Sequence, residues 1–170
     1  MAETRLPITV LCQEQTEWCW AACASAISQS DPRATASMTQ CEVVGLVEND
    51  AACCSHPEQM NVQANLRDAI EAVGLSCHVI QAGLLTFGDI ASQIINRRRP
   101  LGARIEDRQN GLAHNVLIVG CDNAAHSVAV CDPWGTIGTA VQTWSMPFVT
   151  FKENYGQGAW GRCTDVFVVD

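Results

Sequence analysis

Positive charge is scarce in this chain of 170 residues: ten lysines and arginines stand against eighteen aspartates and glutamates, a formal net charge of −8. Binding phosphate backbones requires basic patches that the sequence does not accumulate, so no nucleic-acid partner is expected. The one basic run, Arg97, Arg98 and Arg99, follows an apolar stretch at residues 90–95 and precedes Pro100. That position closes a helix and complements its dipole. Long hydrophobic runs are missing too. No segment approaches the ~20 apolar residues of a bilayer-spanning helix, and no membrane partner is expected. The opening MAETRLPITVLC lacks the basic start, the long apolar core and the cleavage site of a general secretory signal. Internal repeats and low-complexity segments are absent. With 48% hydrophobic residues, the chain has enough apolar surface to bury the core of a single domain spanning residues 1–170.

What is abundant is cysteine. Ten cysteines exceed ordinary cytosolic usage and are more typical of oxidising compartments. The compartment stays open between export by a route without this type of signal and the cytoplasm.

The stretch QEQTEWCWAAC, residues 13–23, combines a cysteine with a glutamine six residues upstream and tryptophans on both sides. Residues 18–28 contain four alanines and no Gly or Pro, which favours a helix that Thr16 or Glu17 could cap. Cys19 then lies in the first turn, where free N–H groups and the helix dipole stabilise a thiolate. Cys23, one turn on, is read as core.

Helical periodicity and caps predict further helices at residues 38–47 (capped by Ser37 or Thr39), 62–73 (stopped by Gly74) and 86–96. Residues 8–11 are β-prone, and residues 75–80 read as a strand. Beyond Pro100, alternating β-branched runs predict strands at 101–105, 114–119, 127–131, 140–144 and 166–169. Helices first and strands later indicate an α+β domain with a cleft between a helical lobe (about 12–98) and an antiparallel β lobe (about 99–170).

A thiol nucleophile needs a base, and four histidines are available. His56 lies in a Pro-containing loop, His78 inside a probable strand and His126 at a turn between strands. His114 opens the most apolar strand, HNVLIVG, after Asn110 and Gly111. The hairpin formed by the next strand returns Asp132 close to His114, so that a carboxylate can fix the imidazole tautomer. Trp134, two residues on, can cover that pair.

Gln13, Cys19, His114 and Asp132, in that order, resemble the papain-like cysteine peptidases, and the DPWG of residues 132–135 looks like that family's Asn-Ser-Trp-Gly element with aspartate for asparagine. The likeness is nearest to compact bacterial branches, the AvrRpt-type effector proteases and the leader-peptidase domains of bacteriocin exporters. CWAAC and the Cys53-Cys54 loop favour the former. The resemblance implies a papain-like fold and a cysteine endopeptidase working through a thioester: Cys19 as nucleophile, His114 as acid and base, Asp132 as its orienter, Gln13 as oxyanion donor and Trp134 in support. It implies no metal and no cofactor, and a protein or peptide substrate; a monomer is expected. Two features depart from plant and lysosomal papains. Glu17 and Trp18 replace the cysteine and glycine before the nucleophile, and the nucleophile-to-histidine separation is shorter than about 130–150 residues.

The same triad also serves acyl transfer or amide hydrolysis. A rival of another kind is a thiol or metal module built on Cys41, Cys53, Cys54, His56 and Cys77. Outside a reducing cytosol, Cys41 is expected to pair with Cys53 or Cys54.

Overall fold

A seven-stranded antiparallel sheet runs through the middle of the computed structural model, which describes residues 3–156 and 161–170. Its strands are β1 (Thr4–Arg5), β2 (Cys77–Gln81), β3 (Leu101–Glu106), β4 (Ala113–Asp122), β5 (Ser127–Cys131), β6 (Thr143–Pro147) and β7 (Arg162–Val169), in the order β2-β7-β3-β4-β5-β6. The short β1 pairs with Gly120 and Cys121 of β4, filling the edge that β3 leaves open beyond Ile118.

Strand alternation divides the core in two. Leu117, Val119, Ala129, Cys131, Phe167 and Val169 face a layer made of α1 (Cys19–Ser30), α2 (Gln40–Val47) and α3 (Leu66–Ala72). Their neighbours Val116, Ile118, Val128, Val130, Val166 and Val168 point the other way. There they meet α4 (Phe87–Ala91), the π-helical turn Ser92–Arg97 that continues it, and α5 (Phe148–Glu153). Both faces being covered, β4 is buried along eight consecutive residues, His114 and Asn115 followed by a near-continuous apolar run.

Local chemistry explains the element boundaries. Thr39 accepts a hydrogen bond from the Glu42 N–H while the Glu42 carboxylate accepts from the Thr39 N–H at 2.7 Å, a capping box that starts α2 two residues later than periodicity predicts. The expected helix at residues 62–73 begins only at Leu66, because Asn65 caps it. Residues 61–64 form no regular element, and Asn61 and Val62 bond to the start of the nucleophile's helix. Gly74, at φ +86, ends that segment as expected; a Cβ there would lie 2.0 Å from Thr35 Oγ1.

The expected helix at 86–96 changes to π geometry after Ala91 and closes on Arg98 in the left-handed region. The strand expected at 140–144 lies instead at Thr143–Pro147. Ala140 makes only an isolated bridge to Leu11, which is what the β-prone residues 8–11 amount to. Neither β1 nor α5 is visible in the sequence pattern, each being too short to establish a period.

Candidate active site

Cys19 is the first residue of α1, a helix whose first ten residues are all buried. Neither Thr16 nor Glu17 caps it. Trp18 holds the cap position without a side-chain bond, and the Thr16 hydroxyl instead accepts from Asn61 Nδ2 at 2.8 Å. The helix start is fixed from outside. Trp18 Nε1 donates to the Met60 carbonyl (2.8 Å), Trp20 Nε1 to the Val62 carbonyl (3.1 Å) and the Glu17 N–H to Asn61 Oδ1 (2.8 Å). Two fully buried indoles with satisfied N–H groups therefore clamp the thiol against residues 60–62.

On the sheet side, β5 pairs with β4 only from Leu117 onward, leaving the edge of β4 open at its beginning. Cys19 occupies that gap. The Asn115 N–H donates to its sulfur at 3.4 Å and Asn115 Nδ2 lies at 3.5 Å. The register that pairs Leu117 with Cys131 also brings Asp132, one residue past β5, toward His114. His114 Nε2 donates to Asp132 Oδ1 at 2.6 Å. The ring is also hydrogen-bonded to Cys19, and with Nε2 committed to the carboxylate that bond falls to Nδ1. The three side chains predicted to meet are thus in one line.

Their protonation equilibria are displaced in complementary directions. Burial raises the Cys19 thiol, but the hydrogen bond and charge of His114 and the two donors of Asn115 outweigh it, so the thiol is held below its ordinary value. Burial opposes the imidazolium of His114, yet the bonds to Asp132 and Cys19 push it up to about 10. Asp132 is buried as well, and its bonds from His114, the Trp134 N–H (3.0 Å) and Tyr155 keep its carboxyl below the usual range. This arrangement can hold a thiolate and an imidazolium side by side across the neutral range. Cys23 has the opposite environment: full burial and the charges of Cys19, Asp132 and Cys131 raise its thiol far above normal, as suits a core residue.

Gln13 is buried next to the same loop, with its N–H donating to the Pro133 carbonyl at 2.8 Å. Its side chain is otherwise engaged: Nε2 donates to the carbonyls of Gln15 (2.9 Å) and Thr16 (2.6 Å), while Oε1 is buried with no partner among the described residues. Trp134 stands edge-on to His114, ring centroids 6.4 Å apart, but is 61% exposed, so it flanks the pair without sealing it.

Two residues escaped the sequence reading. Asn115 follows His114 directly, and its signal in the sequence is the polar His-Asn pair opening an apolar strand. Tyr155, the sole tyrosine, is buried against Phe151 and Trp144 and donates to Asp132 Oδ2 at 2.9 Å. Nothing in the sequence ties it to Asp132, twenty-three residues away.

Clefts open on both sides of the line. Cys19 with Ala64, Leu66, Arg104 and Asn115 borders one of about 260 Å³. Asp132, Trp134 and Trp144 border another of about 390 Å³.

Several residues named for a thiol or metal module have other partners. Cys41 and Cys54 form a disulfide, and no cluster of His, Cys, Asp or Glu among the described residues could hold a metal ion. His56 pairs with Asp50 and His78 with Asp170. The eight remaining cysteines are free and buried. No helix of the described residues is long and apolar enough to cross a membrane.

Comparison with known proteins gives the same assignment. No curated protein matches the chain. The family described as papain-like cysteine protease AvrRpt2 matches residues 2–155, nearly the whole of it. The chain therefore belongs to the papain-like cysteine proteases of the AvrRpt2 family.

Proposed function

We propose that this protease cleaves peptide bonds within protein substrates through a Cys19-His114-Asp132 triad and a thioester acyl-enzyme. The observation that carries the reading is the imidazole of His114, bonded on one side to Cys19 and on the other to Asp132, with the thiol shifted down and the imidazole up. Cys19 attacks the scissile carbonyl as thiolate. His114 gives its proton to the leaving amine and then takes one from the water that hydrolyses the thioester. Asp132 holds the ring in the tautomer that presents Nδ1 to sulfur. Tyr155 and the Trp134 N–H hold Asp132.

Charge on the carbonyl oxygen is taken by the Cys19 N–H, one of the first N–H groups of the helix, which have no intrahelical partner, and by Gln13 Nε2. Because Gln13 spends both amide protons on Gln15 and Thr16, the oxyanion must displace one of those carbonyls. No metal or cofactor enters the reaction, and the chain acts as a monomer.

The test is a fluorogenic peptide library and a panel of denatured proteins, assayed with wild type and with Cys19→Ala. Cleavage at internal bonds by wild type, absent in the variant, with an acyl adduct on Cys19 trapped by rapid acid quench, is the expected result. Cleavage that survives Cys19→Ala would refute it.

A further inference from the structure

Another cavity among the described residues is far from the triad in character and in place. It encloses about 610 Å³ at the C-terminal end of α1, opposite the end that carries Cys19, between the residues after β1 and the close of the π-helical turn. Four of the ten basic residues of this acidic chain converge on it: Arg33, Arg97, Arg98 and Arg99. A single carboxylate, Asp31, shares the lining; Arg33 donates to it through Nε (2.9 Å) and Nη2 and to the Asp170 carbonyl through Nη1, so these two residues satisfy each other. Among the described residues Arg97, Arg98 and Arg99 make no salt bridge.

Closing a helix explains one arginine near a C-terminus but not three lining a cavity with a fourth brought from another element. The backbone adds a second observation. Arg98 sits at φ +56, in the left-handed region where glycine or asparagine is the inexpensive choice. An arginine stands where the backbone favours glycine or asparagine. Arg33 is paired with Asp31, but Arg97, Arg98 and Arg99 form no ion pair among the described residues; like charges so placed repel one another, and a ligand that neutralises them is stabilised in return. Guanidinium groups match the oxygens of phosphate in pairs, and a cavity of this size fits a small molecule.

We infer that this cavity binds a small polyanion bearing two or more phosphate groups, held by Arg97, Arg98 and Arg99 beside the Asp31-paired Arg33. The site is independent of the triad and of the chemistry proposed for it. Its ligand is either a soluble polyphosphorylated molecule or the headgroup of a phosphorylated lipid; the chemistry is shared.

Calorimetric titration of the full chain with tripolyphosphate at low salt, beside sedimentation with phosphatidylcholine vesicles with and without phosphatidylinositol 4,5-bisphosphate, tests the inference. One saturable site for tripolyphosphate, weakening as salt is raised, is expected if the ligand is soluble, and phosphoinositide-dependent sedimentation if it is a headgroup. Arg98→Gly is the informative variant. Glycine relaxes the backbone, so its thermal midpoint should hold or rise, while binding falls about tenfold or more through the lost charge-assisted bonds. Arg67→Gln, which removes an equal charge from an exposed pair with Glu71, should leave binding unchanged. Absence of binding in both arms, unaltered binding by Arg98→Gly, or equal weakening by Arg67→Gln would overturn the site.

Discussion

The Tyr155 hydroxyl donates to Asp132 Oδ2 at 2.9 Å, on the carboxylate oxygen opposite the one that His114 uses. Asp132 is thereby held at both ends, between the imidazole it serves and a phenol locked in the core. Burial, with the Asp132 charge and this bond, raises the Tyr155 hydroxyl above its ordinary value, so the phenol remains a donor throughout the working range.

Tyr155→Phe keeps the ring and removes only that donor. A hydrogen bond to a charged group contributes about 1.5–3 kcal/mol, so kcat should fall by roughly tenfold to a hundredfold with KM little altered, since Tyr155 does not line either cleft beside the triad. Losing a donor to the carboxylate raises the Asp132 pKa, so the acid limb of the pH profile should move to higher pH. A stability loss with an unmoved profile would reduce Tyr155 to a packing residue.

The alkaline limb reports His114. The imidazolium must be protonated to release the leaving amine, and its equilibrium is pushed up to about 10, so kcat/KM should decline only as pH nears that value. Asp132→Asn removes a raising influence and leaves burial, which lowers the imidazole. The alkaline limb should then shift to lower pH. A limb that stays where it was would mean that Asp132 does not act on His114.

Gln13→Ala separates the oxyanion from the nucleophile. Removing one such donor costs about 3 kcal/mol, or a hundredfold to a thousandfold in kcat. Alkylation of Cys19 by a small reagent develops no oxyanion and should proceed at the wild-type rate. If alkylation slows in step with turnover, Gln13 acts by holding the turn at Gln15 and Thr16 rather than by binding the oxyanion.

The Cys41–Cys54 disulfide closes a loop over a sequence separation of thirteen. Cross-links of about that span stabilise by about 3 kcal/mol, so Cys54→Ser should lower unfolding stability by about 2–3 kcal/mol and leave Cys19 labelling intact. Equal denaturation midpoints with and without reductant would contradict this.

The line of three was legible in the sequence because each member advertises itself locally: a cysteine opening an alanine-rich helix, a histidine opening an apolar strand, an aspartate closing the next one. A hairpin register then suffices to join the last two. Longer elements were likewise legible from their periods, and the Thr39 and Gly74 signals worked as expected. What was not legible depends on distance along the chain. Asn61 in place of Thr16 or Glu17 at the start of α1, Tyr155 on Asp132, and residues 60–62 under the tryptophans are contacts between segments twenty-three to forty-five residues apart. The arginine run was read as a helix close. It is one, but only the fold brings Arg33 to it.

The most direct measurement is the rate of iodoacetamide labelling of each thiol against pH, mapped by mass spectrometry, in wild type and His114→Ala. Cys19 is expected to react fast at mildly acidic pH while the other free cysteines, all buried, stay unmodified, and to lose that advantage in His114→Ala. A Cys19 that reacts no faster than the other thiols, or as fast without His114, would contradict the thiolate–imidazolium pair on which the proposed mechanism stands.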